Sequence, residues 1–201
     1  MRGADTGLYK DAYERDSCGF GLIANLDDQP SHWLVQTAMI SLNRLTHRGA
    51  VATAGKTGDG CGLLLKKPEV FLRAVASEAR IRLADHFASG LIFLNRDPAL
   101  AQHARETLAA QLQRQGLEVA GWRRVPVDPD ACGPQALKTL PQIEQIYVNC
   151  NLPDHDEASF NRKLYMARRH AELALQADPA FYVPSLSAST ITFKGMVMPE
   201  F

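Results

Sequence analysis

Four cysteines, Cys18, Cys61, Cys132 and Cys150, are the first residues to examine for chemistry. None forms a C-x-x-C pair, and none has metal-ligand spacing to a histidine. In a reducing compartment they are expected to be free thiols. Cys18 stands apart. It follows a charged segment of both signs, residues 1–17, and precedes Gly19-Phe20-Gly21. The bland reading of a cysteine ahead of an apolar run is a small buried hydrophobe. The sharper reading is a nucleophile. If the Ser17–Cys18 bond is cut, the thiol gains its own α-amino group as a tethered base, with a reference pKa of about 7.7–8.0. That amine can take the thiol proton directly or through a water, so no distant histidine is required. Gly19 and Gly21 leave room for another group to approach the backbone.

Other candidates are weaker. Residues 49–57, GAVATAGKT, come near the phosphate-loop pattern G-x-x-x-x-G-K-[ST]. The spacing fails by one residue, because Ala50 stands where the first glycine belongs. The segment also follows an expected helix, whereas a phosphate loop follows a strand and opens a helix. His47 lies at an expected helix end, where a cation interacting with the helix dipole is the ordinary arrangement. The alternative is that His47-Arg48-Gly49 packs beside a reactive site. The remaining histidines lie on expected helices or loops and fall in no ligand or catalytic motif of the sequence, and Arg168-Arg169-His170 reads as a solvated helix face.

The bulk composition narrows the classes. Lys plus Arg equals Asp plus Glu at 22 each, so the formal net charge is zero. No basic surplus is available for phosphates, which argues against nucleic acid as a partner. No apolar run approaches a membrane span. Residues 1–17 lack the apolar core of a secretory signal and are too acidic for a transit peptide, so a cytoplasmic location is expected.

The elements that must position these residues follow from periodicity. Residues 18–26 read as a strand. Ser31 is expected to cap a helix to about Thr46, with Leu34, Val35, Ala38, Leu42 and Leu45 on one stripe. Residues 53–62 are glycine-rich and form a loop, and Leu63–Leu65 a short strand. Pro68 opens a helix whose expected apolar stripe is Phe71, Ala74, Val75 and Ala79. Residues 90–94 form a strand. Asp97 caps a helix to about Gln115, with Leu100, Ala104, Leu108 and Leu112 on one face. A strand is expected over 117–125 and an irregular connection with four prolines over 126–141. A strand follows over 142–149. Asp156 caps a helix to about Gln176, with Phe160, Leu164, Ala167, Ala171 and Leu175 inward. Strands at 181–183 and 189–194 follow one another directly, which requires some antiparallel pairing. The pattern is a continuous α+β body.

The motifs, taken in order, resemble a known family. Cys18-Gly-Phe-Gly, His47-Arg48-Gly49-Ala50 and Thr57-Gly58-Asp59-Gly60-Cys61-Gly62 look like the class II glutamine amidotransferase domain at the front of glutamate synthases. Ile143-Glu144-Gln145, Arg162-Lys163-Leu164-Tyr165, and Phe181-Tyr182 through Ser185-Leu186-Ser187 to Lys194-Gly195-Met196 resemble it too. The resemblance implies an α+β fold, part of a four-layer αββα sandwich of N-terminal-nucleophile type. It implies a propeptide over 1–17 and the N-terminal part of the amidotransferase domain over 18–201. It implies L-glutamine as substrate and Cys18 as the nucleophile, with Arg48 and Gly49 organising the site. Ammonia would pass to a downstream synthase domain that aminates 2-oxoglutarate, with a possible reductase subunit as electron donor. FMN and an iron–sulfur cluster are expected in that downstream part, and no cofactor or metal in this segment.

The sequence departs from the family in two respects. Cys61 stands where the motif usually has alanine. The family's carboxylate-binding arginine and its Asn-Gly oxyanion donor come after the matched segment, and the 201 residues contain no Asn-Gly. Removing an oxyanion donor costs about 10²–10³ in rate, so this segment by itself is expected to be inactive. The competing expectations are a non-catalytic fragment or interaction module, and an N-terminal-nucleophile hydrolase acting on a different amide.

Overall fold

The computed structural model describes residues 19–45, 60–151 and 156–195. Among these residues, six strands form two antiparallel sheets. In chain order the elements are helix α1 (His32–Asn43), strand β1 (Cys61–Lys66), α2 (Glu69–Glu78), β2 (Phe87–Leu94), α3 (Pro98–Arg114), β3 (Glu118–Arg124), α4 (Pro134–Thr139), β4 (Gln142–Asn149), α5 (Glu157–Ala174), β5 (Tyr182–Ser187) and β6 (Thr190–Gly195). One sheet has the order β3-β4-β2-β5, and the other pairs β1 with β6.

The central strands β2 and β4 align from Phe87 opposite Asn149 to Leu94 opposite Gln142. Because side chains alternate across a strand, this register sorts the residues onto two faces. Ala88, Ile92 and Leu94 join Ile146 and Val148 against α3 and α5, which contribute Ala101, Ala104, Leu108, Leu112, Phe160, Leu164, Ala167 and Ala171. Phe87, Leu91 and Tyr147 point the other way, onto Leu72 and Ala76 of α2, Ile191 of β6 and the partly buried Leu65 of β1. The two sheets therefore pack face to face, with helices outside the larger one, and α1 lies against β1. This mixed α+β arrangement is consistent with the expected αββα type.

Helix starts follow the sequence closely. The Asp97 carboxylate accepts from the amides of Ala99 and Leu100, with Pro98 in the first turn. The Asp156 carboxylate accepts from the Ser159 amide. These bonds satisfy amides that a helix N-terminus leaves without intrahelical partners. Ser31 has the extended backbone of a cap, but its side chain makes no capping bond, and α1 ends at Asn43.

Several expectations are corrected. The described part of the 18–26 strand, from Gly19 onward, is not a strand, and Phe20, Leu22 and Leu26 are exposed. An apolar run becomes a strand only by pairing, and no described strand pairs with it. In α2 the inward residues are Leu72 and Ala76, while Phe71 is exposed. The stripe is rotated by one position, so that Leu72 and Ala76 pack with Phe87, Leu91, Tyr147 and Ile191, and Arg73 lies over the ring of Phe87, 4.7 Å from its centroid. In α3, Ala101 replaces the exposed Leu100 on the buried face, which lets the helix approach α5 closely. The proline-rich connection contains the short helix α4. The consecutive strands β5 and β6 belong to different sheets, since β6 pairs with β1.

Candidate active site

Cys18, Arg48 and Gly49 all lie outside the described residues, as does His47. The described residues include the end of the glycine-rich motif that follows them in sequence. Gly60-Cys61-Gly62, the end of the glycine-rich motif, pairs with Phe193-Lys194-Gly195, the end of the last motif: Cys61 lies opposite Gly195 and Gly62 opposite Lys194. Two segments more than a hundred residues apart in sequence thus meet at one end of the smaller sheet.

The glycines make that meeting possible. Gly60 has φ +108°, and a Cβ there would lie 3.2 Å from the carbonyl oxygen of Gly195. A Cβ on Gly62 would lie 2.7 Å from the Phe193 carbonyl oxygen. The first is a left-handed conformation that a side chain disfavours, and the second is a close backbone approach. Plain turn geometry is therefore not the whole role of this motif. Cys61 is half-buried between them, and burial pushes its thiol pKa up. It is held as the thiol, the unreactive form. Cys132 is half-buried and Cys150 buried, and neither is in a disulfide.

The remaining motifs form the scaffold. Strand alternation splits Ile143-Glu144-Gln145 across two faces. The Glu144 carboxylate meets α3 and accepts from Nε and Nη2 of Arg105 at 2.8 and 2.9 Å. This carboxylate partner raises the Arg105 pKa further. Gln145 faces the smaller sheet, accepting from Arg123 Nε at 2.7 Å and donating to Ser89 Oγ at 2.8 Å. The Tyr147 hydroxyl on the same face is buried without a hydrogen-bond partner among the described residues. Its pKa is raised by burial, against the opposing influence of Arg123. Lys163 Nζ donates to the Gln115 carbonyl beyond the end of α3, at 3.1 Å. Ser185 Oγ accepts from the Thr192 amide at 3.0 Å, tying the two sheets together. Lys194 Nζ donates to the Tyr182 hydroxyl at 3.0 Å.

Arg105 and Arg123 escaped the sequence reading. Arg105 stands on the polar side of a helix and Arg123 beside Arg124 in a strand, and only the placement of β4 against β3 and α3 reveals their partners. Among the described residues no group of His, Cys, Asp and Glu could hold a metal ion, and no helix is long and apolar enough to cross a membrane. The groove between α3 and β3, lined by Glu106, Gln113, Leu117 and Val119, contains none of the motif residues.

Residues 18–201 match the family described as glutamine amidotransferases class-II. The chain belongs to that family. It is 33% identical over 195 residues to the glutamate synthase [NADPH] large chain of Bacillus subtilis (strain 168), covering 96% of this chain and 13% of the relative. It is 38% identical over 196 residues to the glutamate synthase [NADPH] large chain of Azospirillum brasilense, covering 96% and 13%. It is 37% identical over 192 residues to ferredoxin-dependent glutamate synthase 1, chloroplastic/mitochondrial, of Arabidopsis thaliana, covering 93% and 12%. The chain thus spans about an eighth of the length of these relatives.

Proposed function

We propose that this chain is the glutamine-hydrolysing part of a glutamate synthase, with Cys18 as its nucleophile. The observation that carries the reading is that the family match opens at residue 18, the residue that removal of 1–17 would leave at the N-terminus. The Cys18 α-amine takes the thiol proton, and the thiolate attacks the side-chain amide carbon of L-glutamine. The carbon–nitrogen bond breaks, the departing nitrogen takes up a proton, and ammonia leaves a γ-glutamyl thioester. Water then attacks the thioester, giving glutamate and the free thiol. Arg48 and Gly49 organise the loop around the nucleophile.

The reading extends to the longer relatives by analogy. Ammonia passes to a synthase region that aminates 2-oxoglutarate, and that region supplies FMN and an iron–sulfur cluster. A reductase subunit is one candidate source of electrons. Relatives named for NADPH and for ferredoxin match this chain about equally well, so the electron donor is a property of other regions.

The test is ammonia release from glutamine by an intact glutamate synthase polypeptide carrying this chain. Cys18→Ala is expected to reduce release to background. Undiminished release refutes the assignment.

A further inference from the structure

The chain leaves the larger sheet at Ser187 and enters the smaller one at Thr190. This corner is held by side chains. Asn161 Oδ1 accepts from Ser187 Oγ at 3.0 Å and from the Ala188 amide at 2.9 Å. Asn161 Nδ2 donates to Ser189 Oγ at 2.8 Å, and that hydroxyl donates to Glu157 Oε1 at 2.6 Å. Ser187 Oγ also accepts from the amides of Ser189 and Thr190, at 3.0 and 3.3 Å. On the far side, the Ser189 carbonyl accepts from the Lys67 amide at 2.7 Å, immediately after β1. The corner is therefore fastened to α5 on one side and to the end of β1 on the other.

Asparagine is a poor residue for a helix interior, because its amide competes for local backbone groups. Here its amide is spent on the corner instead. The consequence is register. With Ser187–Thr190 fixed, β6 can meet β1 only as observed, with Gly62 beneath the Phe193 carbonyl. A slip of two residues would bring the Cβ of Leu64 to the place where a Cβ on Gly62 would stand 2.7 Å from that oxygen. A slip would also displace Gly60 from Gly195.

We propose that Asn161 is a positioning residue for the glutaminase site, acting through the β5–β6 corner to set the β1–β6 register and hence the seat of the Gly60–Gly62 motif. The proposal rests on the functional reading above, but part of its test does not. Amide hydrogen exchange is read in residues 61–66 and, as an internal control, in residues 142–149 of the central strand β4. Asn161→Ala is expected to speed exchange in 61–66 by about tenfold or more while leaving 142–149 unchanged. Asn161→Asp keeps the acceptor for Ser187 and Ala188 but loses the donor to Ser189, and should fall between wild type and Asn161→Ala. Unchanged exchange in 61–66 overturns the latch. Equal acceleration in both segments also overturns it, since Asn161 would then merely hold the fold together.

In the intact enzyme, Asn161→Ala should lower kcat for glutamine with KM little changed, and Asn161→Asp should recover part of the loss. Loosened exchange in 61–66 with unaltered kcat overturns the positioning role. A wild-type protein without glutaminase activity refutes the functional reading, while the exchange experiment still decides the latch.

Discussion

The larger sheet and the smaller one are built to different standards. The larger sheet is covered on both faces: α3 and α5 each bury four residues, and β4 is buried along most of its length. The smaller sheet is two strands, β1 alternates between partly buried and exposed positions, and α1 buries none of its residues. Yet the smaller sheet carries the ends of the glycine-rich and Lys194-Gly195 motifs. The difference teaches a division of labour: the well-packed half carries most of the buried core, and the lightly packed half carries the ends of two of the family-like motifs.

The largest effect that would sharpen this contrast is in the core. Leu164 is fully buried on α5, so Leu164→Ala should cost about 2–5 kcal/mol through lost transfer energy and a residual cavity. Trp33, on α1 and 66% exposed, should cost no more than about 0.5 kcal/mol when truncated. Denaturant midpoints at constant m-value measure both, and equal costs would erase the distinction.

Glycine substitutions come next. A Cβ on Gly90 would lie 2.5 Å from the Ser185 carbonyl oxygen and 2.9 Å from Leu186 Cδ1. Gly90→Ala should therefore cost about 1–3 kcal/mol, because β2 and β5 must part. Gly21 has nothing within 4 Å of the same atom, and Gly21→Ala should leave the melting temperature unchanged.

Similar in size is the loss of the Glu144 partner. Arg105→Met leaves the carboxylate, with its side chain 9% exposed, without its two guanidinium bonds. A loss of about 1.5–3 kcal/mol is expected, typical of hydrogen bonds to charged groups, read from urea unfolding.

The smallest effect is a pH dependence on α2. The hydrogen bond from Arg73 lowers the Glu69 pKa, opposed by partial burial and aided by Lys67. A depressed carboxylate pKa stabilises the fold above its unfolded value and loses that contribution as pH falls through the folded value. Glu69 is 46% exposed, so Glu69→Gln should cost only about 0.3–0.5 kcal/mol at neutral pH. The difference from wild type should vanish in acid, and a difference that persists there would implicate packing instead.

The sequence reached some parts of this molecule better than others. The inward stripe of α5 and the limits of β4 were legible because periodicity ran unbroken over many residues. The caps Asp97 and Asp156 were legible because capping is local chemistry. The stripe of α2 was misplaced by one residue, and that of α3 was right except in its first turn, where Ala101 rather than Leu100 is buried, because the packing partners of each helix decide which residue turns inward. The separation of β5 and β6 into two sheets was illegible, because it depends on their pairing partners β2 and β1, which lie far away in sequence. Of the candidate site, Cys18, Arg48 and Gly49 rest on motif alone and lie outside the described residues, while the close approach of Gly62 to Phe193 required both strands in place.

The central claim is that Cys18, freed at its α-amine, is the nucleophile toward glutamine. Its most direct test is labelling of the protein as its cell makes it with the glutamine-like electrophile diazo-oxo-norleucine, followed by peptide mass mapping. The account predicts one adduct, on a Cys18 that is the first residue of the chain, and no adduct on Cys61, Cys132 or Cys150. An unlabelled Cys18 still preceded by Ser17, or an adduct on another cysteine, would contradict it.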